Sequence, residues 1–168
     1  MNAFTKIIML LSVLVLLIGG GFSFYFTYQS GQPVRPVSAG ADGIAIEGFD
    51  AVAYHKTGAA QKGQYNFQVT WNGGLWHFTS LENRQNFSEN PEKYAPQYGG
   101  YDPLGMAMNG STEPGTPELW TVVDGKLYLF YSGKTRKIWQ ENAPENRKKA
   151  DHQWYKLKQQ RHYKTEMK

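Results

Sequence analysis

The chain has 168 residues and no cysteine. Disulfides, thiolate-ligated zinc, iron–sulfur clusters, covalently attached haem and thiol catalysis are therefore excluded. Its four histidines, His55, His77, His152 and His162, show no pair at zinc-ligand spacing and no His-Glu-x-x-His run. Gly-x-Ser-x-Gly, the P-loop and Gly-x-Gly-x-x-Gly are also missing, and the chain reads as non-enzymatic. Charge of one sign is scarce too. Eighteen Lys and Arg against fourteen Asp and Glu leave +4, too little to argue for nucleic acid. Aromatic residues, by contrast, make up 15 % of the chain, far above what a disordered chain carries. Composition leaves a folded, aromatic-rich domain.

One long apolar run is present, at the N-terminus. Residues 7–28 carry no charge and end in Phe22, Phe24, Tyr25, Phe26 and Tyr28. Twenty-two helical residues reach roughly 33 Å, enough to cross a bilayer core. The terminal aromatics suit the headgroup level. The expectation is an uncleaved, single-pass anchor in a bacterial inner membrane (residues 1–28), with the rest of the chain in the periplasm. The alternative is a signal sequence cleaved near Ala39, which would release the domain to the periplasm. Residues 29–43 hold Gly31, Pro33, Pro36, Gly40 and Gly43 and read as a linker.

The remainder reads as α+β, with a small, mainly antiparallel sheet of two hairpins, short helices and a longer C-terminal helix. Tyr65, Phe67, Val69 and Trp71 alternate with polar residues, Asn72-Gly73-Gly74 turns, and Trp76 and Phe78 alternate back. The second hairpin turns at Asp124-Gly125, a pair suited to positive φ. Both its faces are apolar, which predicts a central place in the sheet. Short helices are expected from Ser80, a capping residue, and over residues 134–142; a longer one is expected from about Glu145, with Pro144 in its first turn. No repeat is evident beyond the two hairpins. Residues 91–110 hold three prolines and four glycines and read as a long functional loop.

Several strings are specific: Gly48-Phe-Asp-Ala-Val-Ala-Tyr54, Trp71-Asn-Gly-Gly-Leu-Trp-His-Phe-Thr-Ser80, Asn90-Pro-Glu-Lys-Tyr-Ala-Pro-Gln-Tyr-Gly-Gly-Tyr101 and Val122-Val-Asp-Gly-Lys-Leu-Tyr-Leu-Phe-Tyr131. With Trp139, Ala150, Asp151 and Trp154 they resemble the exported YHS-domain-containing proteins of bacteria. The resemblance covers residues 44–157. It implies a small domain suspected of binding metal, and no established reaction. Members of that family usually continue Gly-Gly-Tyr with Cys-Ala, where this chain has Asp102-Pro103. A carboxylate in place of a thiolate would favour harder ions over Cu(I). A position that is structural here is the other reading.

The candidate metal ligands are accordingly Asp102, Met106, Met108, His55 and Asp50, for a divalent metal or copper. Each has a plainer role open to it. Asp50 and Asp102 suit turns, His55 suits the end of a strand, and the methionines suit a core. Tyr94, Tyr98 and Tyr101 could line a pocket with apolar walls and polar tips. From Arg147 onward, eight Lys and Arg face only Asp151 and Glu166, so this end carries +6 and the rest −2. Lys156, Lys158, Arg161 and Lys164, with a tail over residues 158–168, could rest on anionic headgroups. The leading expectation is a membrane-tethered, non-enzymatic module that binds a metal ion or small ligand at the Gly-Gly-Tyr loop. The alternative is a metal-free interaction or assembly module with another exported protein as partner. A catalytic domain of unrecognised type is a third.

Overall fold

The computed structural model describes the backbone of residues 35–166 and the side chains of residues 35–160. The expected anchor lies outside the described residues. Among the described residues, no helix is long and apolar enough to cross a membrane.

The described chain is α+β and holds two antiparallel two-stranded sheets. Strands β1 (Gln64–Trp71) and β2 (Gly74–Phe78) form the first, and β3 (Thr116–Val123) and β4 (Lys126–Phe130) the second. Helices α1 (Ala53–Lys56), α2 (Leu81–Glu89), α3 (Pro91–Tyr94), α4 (Pro103–Asn109), α5 (Gly133–Glu141) and α6 (Ala143–Glu166) surround them.

A second order runs through these boundaries. β1, β2 and α2 recur as β3, β4 and α5 at an offset of 52 residues, as Gln64 to Thr116 shows. The irregularities recur at the same offset. A bulge separates Gln64 from Gln68 and Thr116 from Trp120. The turn residues Asn72 and Gly73 (φ 50° and 77°) match Asp124 and Gly125 (52° and 71°). The Gly63 N–H donates to the Gly48 carbonyl at 2.9 Å, and Gly115 to Gly100 at 2.9 Å. Ser80 caps α2 and Ser132 caps α5, each with φ near −150°. The domain is thus two copies of one unit, repeat A over residues 44–95 and repeat B over residues 96–147. Sequence reading missed the duplication because core positions keep bulk without identity: Trp76 matches Tyr128, Phe87 matches Trp139 and Tyr54 matches Met106. What persists is backbone chemistry, namely glycines at positive φ and helix caps.

Duplication also corrects the expected single sheet. The hairpins are equivalent parts of successive units, so they do not pair edge to edge. The inner faces pack on their own helices: Trp76 and Phe78 lie 4.9 and 5.1 Å from the Phe87 ring, and Tyr128 and Phe130 lie 4.8 and 5.6 Å from Trp139. Each of these fully buried side chains contributes about 1.5–3 kcal/mol. The second hairpin is apolar on its other face as well, because Leu127, Leu129, Trp120 and Val122 pack into the core of repeat A. Tyr54 stands edge-on to Trp120 at 5.2 Å and donates to the Pro117 carbonyl at 2.9 Å. A two-faced hairpin here means a stacked repeat, not a central strand pair.

The expected loop over residues 91–110 holds α3, a 3-10 turn at Gln97–Gly100 and α4. His55 sits on α1, not at a strand end. The stretch expected to be a linker is packed at Val37 and Ser38, which are buried, and the Ser38 N–H donates to the Gly99 carbonyl at 2.7 Å, while residues 40–42 are exposed. Helix α6 closes repeat B. Ala150, Trp154 and Leu157 join its core, and Arg147 ties α6 to the β3–β4 turn through Asp124 at 2.9 Å.

Candidate functional site

Asp50 and Asp102 occupy matched positions in the two repeats and do the same structural work. Asp50 is fully buried. Its Oδ1 accepts from the N–H groups of Val52 (2.8 Å) and Ala53 (3.2 Å). Its Oδ2 accepts from the Thr79 N–H (2.8 Å), the Thr79 hydroxyl (2.7 Å) and Asn83 Nδ2 (2.7 Å). Five donors leave this carboxylate no lone pair for a metal. Asp102 caps α4 by accepting from the Leu104 N–H at 3.0 Å, and Thr135, the counterpart of Asn83, also stabilises its charge. Burial nevertheless holds its carboxyl above the ordinary carboxylate value.

The other candidate ligands are dispersed. His55 Nε2 faces the Tyr94 carbonyl at 3.3 Å, and burial lowers its pKa. Met106 is fully buried in the core of repeat B, at the position Tyr54 holds in repeat A, while Met108 is 75 % exposed. Among the described residues, no group of three His, Asp or Glu side chains is placed to hold a metal ion. Asp50, His55 and Asp102 form no such group.

The three tyrosines are core, not pocket wall. Tyr94 packs edge-on to His55 at 5.5 Å. Tyr98 donates to Asp151 Oδ1 at 3.0 Å, and burial with that carboxylate pushes its phenol up. Tyr98 and Tyr101 each lie 6.3 Å from the Trp154 ring, and Tyr101 Oη reaches the Arg35 carbonyl at 3.3 Å. The Gly-Gly-Tyr loop itself is covered. A Cβ on Gly99 would collide with the Pro36 carbonyl oxygen, and one on Gly100 would lie 2.9 Å from Ile46 Cγ2. Lys156 and Lys158 are exposed on α6; the side chains of Arg161 and Lys164 lie outside the described residues.

The matched surface of repeat A is open. A cavity of about 370 Å³ lies over Gly48, the counterpart of Gly100, with Ile44, Asp42, Glu47, Lys62 and His77 around it. Ile46, Glu47 and Gly48 have φ of 41°, 54° and 76°, and this left-handed run turns the chain under the cavity. Lys62 Nζ donates to the Glu47 carbonyl and sits 4.6 Å over the Phe49 ring. Asp42 Oδ1 accepts from the Ile44 N–H at 3.0 Å. His77 is 9 % exposed, with Nδ1 3.2 Å from where a Gly48 Cβ would stand. Its Nε2 is buried without a partner, as is Oε1 of Gln68, directly across the ladder. A buried donor or acceptor left unpaired costs about 1–3 kcal/mol; repeat B holds two such atoms as well, Tyr128 Oη and Trp139 Nε1.

His77, Lys62, Glu47 and Gly48 carry no motif that marks them in the sequence as lining one surface. Aligning the chain on itself would have found them, since Leu129, Pro114, Gly99 and Gly100 are their counterparts. No family model matches the chain, and no curated protein or solved structure matches it either.

Proposed function

We propose that this protein is a non-enzymatic, membrane-tethered binding module of the YHS-like type, held in the periplasm by residues 7–28. It captures a small ligand over Gly48 in repeat A, and the Gly-Gly-Tyr loop of repeat B serves as scaffold. One observation carries the reading: the same surface is plugged in repeat B by Val37, Ser38 and Ile46, and in repeat A it holds a cavity lined by Asp42, Glu47, Lys62 and the His77 ring. Duplicated units that diverge in this way divide the labour, one copy keeping the fold and the other free to bind. The YHS resemblance agrees with a binding role, although Asp50 and Asp102, two of the expected metal ligands, are engaged in capping.

Saturation-transfer NMR of the full chain in detergent with a small-fragment mixture tests the reading. Fragments should bind the natural chain and be lost in His77→Leu, which installs the residue repeat B uses at this position. Fragment binding undisturbed by His77→Leu, or a stoichiometric metal lost on Asp102→Ala, would overturn it.

A further inference from the structure

The covered repeat shows which shape the open one accepts. Over Gly100 stand Ile46 Cγ2 and the Ser38 Cβ, beside Pro96: a branched aliphatic group laid on a glycine. In repeat A, Ile44 Cγ2 takes the place of Pro96 and the His77 ring borders Gly48, with Nδ1 3.2 Å from where a Cβ would stand. The route by which repeat B is filled is closed in repeat A. The Pro36–Val37–Ser38 strand crosses directly over Gly99 because that residue has no Cβ. Glu47 stands at the matched position and does have one. The Gly99 carbonyl takes a strand N–H, from Ser38 at 2.7 Å, whereas the Glu47 carbonyl is taken by the Lys62 ammonium. An extended peptide is therefore excluded from repeating this contact, and a small molecule is not. The cavity, at about 370 Å³, falls at the low end of the ~300–1,000 Å³ typical of small-molecule sites.

Polarity then narrows the ligand. Where repeat B has Gly99, Pro114 and Leu129, repeat A has Glu47, Lys62 and His77. Asp42 adds a second carboxylate to the lining. Arg35 adds a second cation close by, donating to the carbonyl of Gly40 on the cavity wall at 2.9 Å. Both signs of charge surround an apolar floor, which suits a ligand carrying both signs itself. Resting on the binding role proposed above, we infer that the cavity of repeat A takes a small zwitterion with a branched aliphatic arm, an aliphatic α-amino acid in chemical class. The arm lies on Gly48 and Ile44. The ammonium group faces Asp42 and Glu47, and the carboxylate faces Lys62 and the His77 ring.

Three probes of one shape separate the charges: leucine, leucinamide (cation only) and 4-methylpentanoate (anion only). They are titrated calorimetrically into the full chain in detergent, with the His77 ring resonances followed by NMR. Leucine should bind roughly tenfold more tightly than either single-charge analogue. Glu47→Gln, an exposed change that leaves the fold intact, should weaken leucine and leucinamide while leaving 4-methylpentanoate unchanged. If either analogue binds as well as leucine and still shifts His77, the zwitterion is wrong and the site stands. If none of the three moves the His77 resonances, the ligand class is overturned, and the fragment screen with His77→Leu decides separately whether the cavity binds anything.

Discussion

Asp50 and Asp102 offer a controlled comparison, because the fold gives one residue type the same position twice and then surrounds it differently. Removing Asp50 abandons five donors in a fully buried site, so Asp50→Ala should cost more than about 3 kcal/mol. Asp102→Ala removes the α4 cap at Leu104 and also the contacts with Thr135 and the Tyr131 N–H; it should cost about 2–3 kcal/mol, less than Asp50→Ala. Urea unfolding of the two variants checks the order. Titration separates Asp102 from His55. Burial raises the Asp102 carboxyl above its ordinary 3.8, so the native state keeps that proton longer than the unfolded chain does. Its contribution is full below pH 3.8 and is lost as pH rises through the raised value. Burial lowers His55 below its ordinary 6.5; its contribution is full above pH 6.5 and is lost as pH falls through the lowered value. In unfolding experiments stepped from pH 4 to 8, Asp102→Asn should remove the slope above pH 3.8, and His55→Gln the opposing slope below pH 6.5. Sequence could name both aspartates and their turn chemistry. It could not show that the lone pairs of Asp50 are already committed, because Thr79 and Asn83 reach it from elsewhere in the chain.

Helices and hairpins were the most legible level. Ser80 begins α2, Pro144 sits in the first turn of α6, and Asp124-Gly125 turns the second hairpin. Each is a local backbone requirement written in two or three adjacent residues. Residues 91–110 misled because proline and glycine also open helices and permit close contact. Pro91 and Pro103 are first-turn residues, and Gly99 is bare so that Pro36 can cross it. Gly99→Ala should therefore expel residues 35–38 from repeat B. Limited proteolysis should then cut near Arg35 faster than in the natural chain, while the hairpins stay protected. The caps invite a paired test as well. Ser80→Ala and Ser132→Ala should each cost about 1 kcal/mol, with Ser132 the dearer because Thr135 completes a capping box there.

Across the whole described domain, two stacked copies of one unit explain features that no single element does. In repeat arrays each unit contacts its neighbour, and the ends need caps. Hairpin β3–β4 is apolar on both faces because repeat A lies on one of them, and α6 closes the far end over Tyr98 and Tyr101. A chain ending at residue 160 should keep its stability. One ending at residue 149 loses Trp154 and Leu157 from the core and should expose repeat B to dye binding and aggregation. At the near end, the Ile46–Gly48 turn rather than a further repeat lies against His77, and the cavity lies beside it. This asymmetry was illegible in the sequence because most matched core residues, Phe78 and Phe130 apart, share bulk and not identity. It became visible only once both copies were folded. Amide hydrogen exchange on the full chain tests it most directly, since every position has an internal control 52 residues away, as His77 has in Leu129. An open repeat A and a sealed repeat B predict faster exchange over residues 46–50 and β2 than over residues 98–102 and β4. Equal protection at the matched positions, or slower exchange in repeat A, would contradict the account.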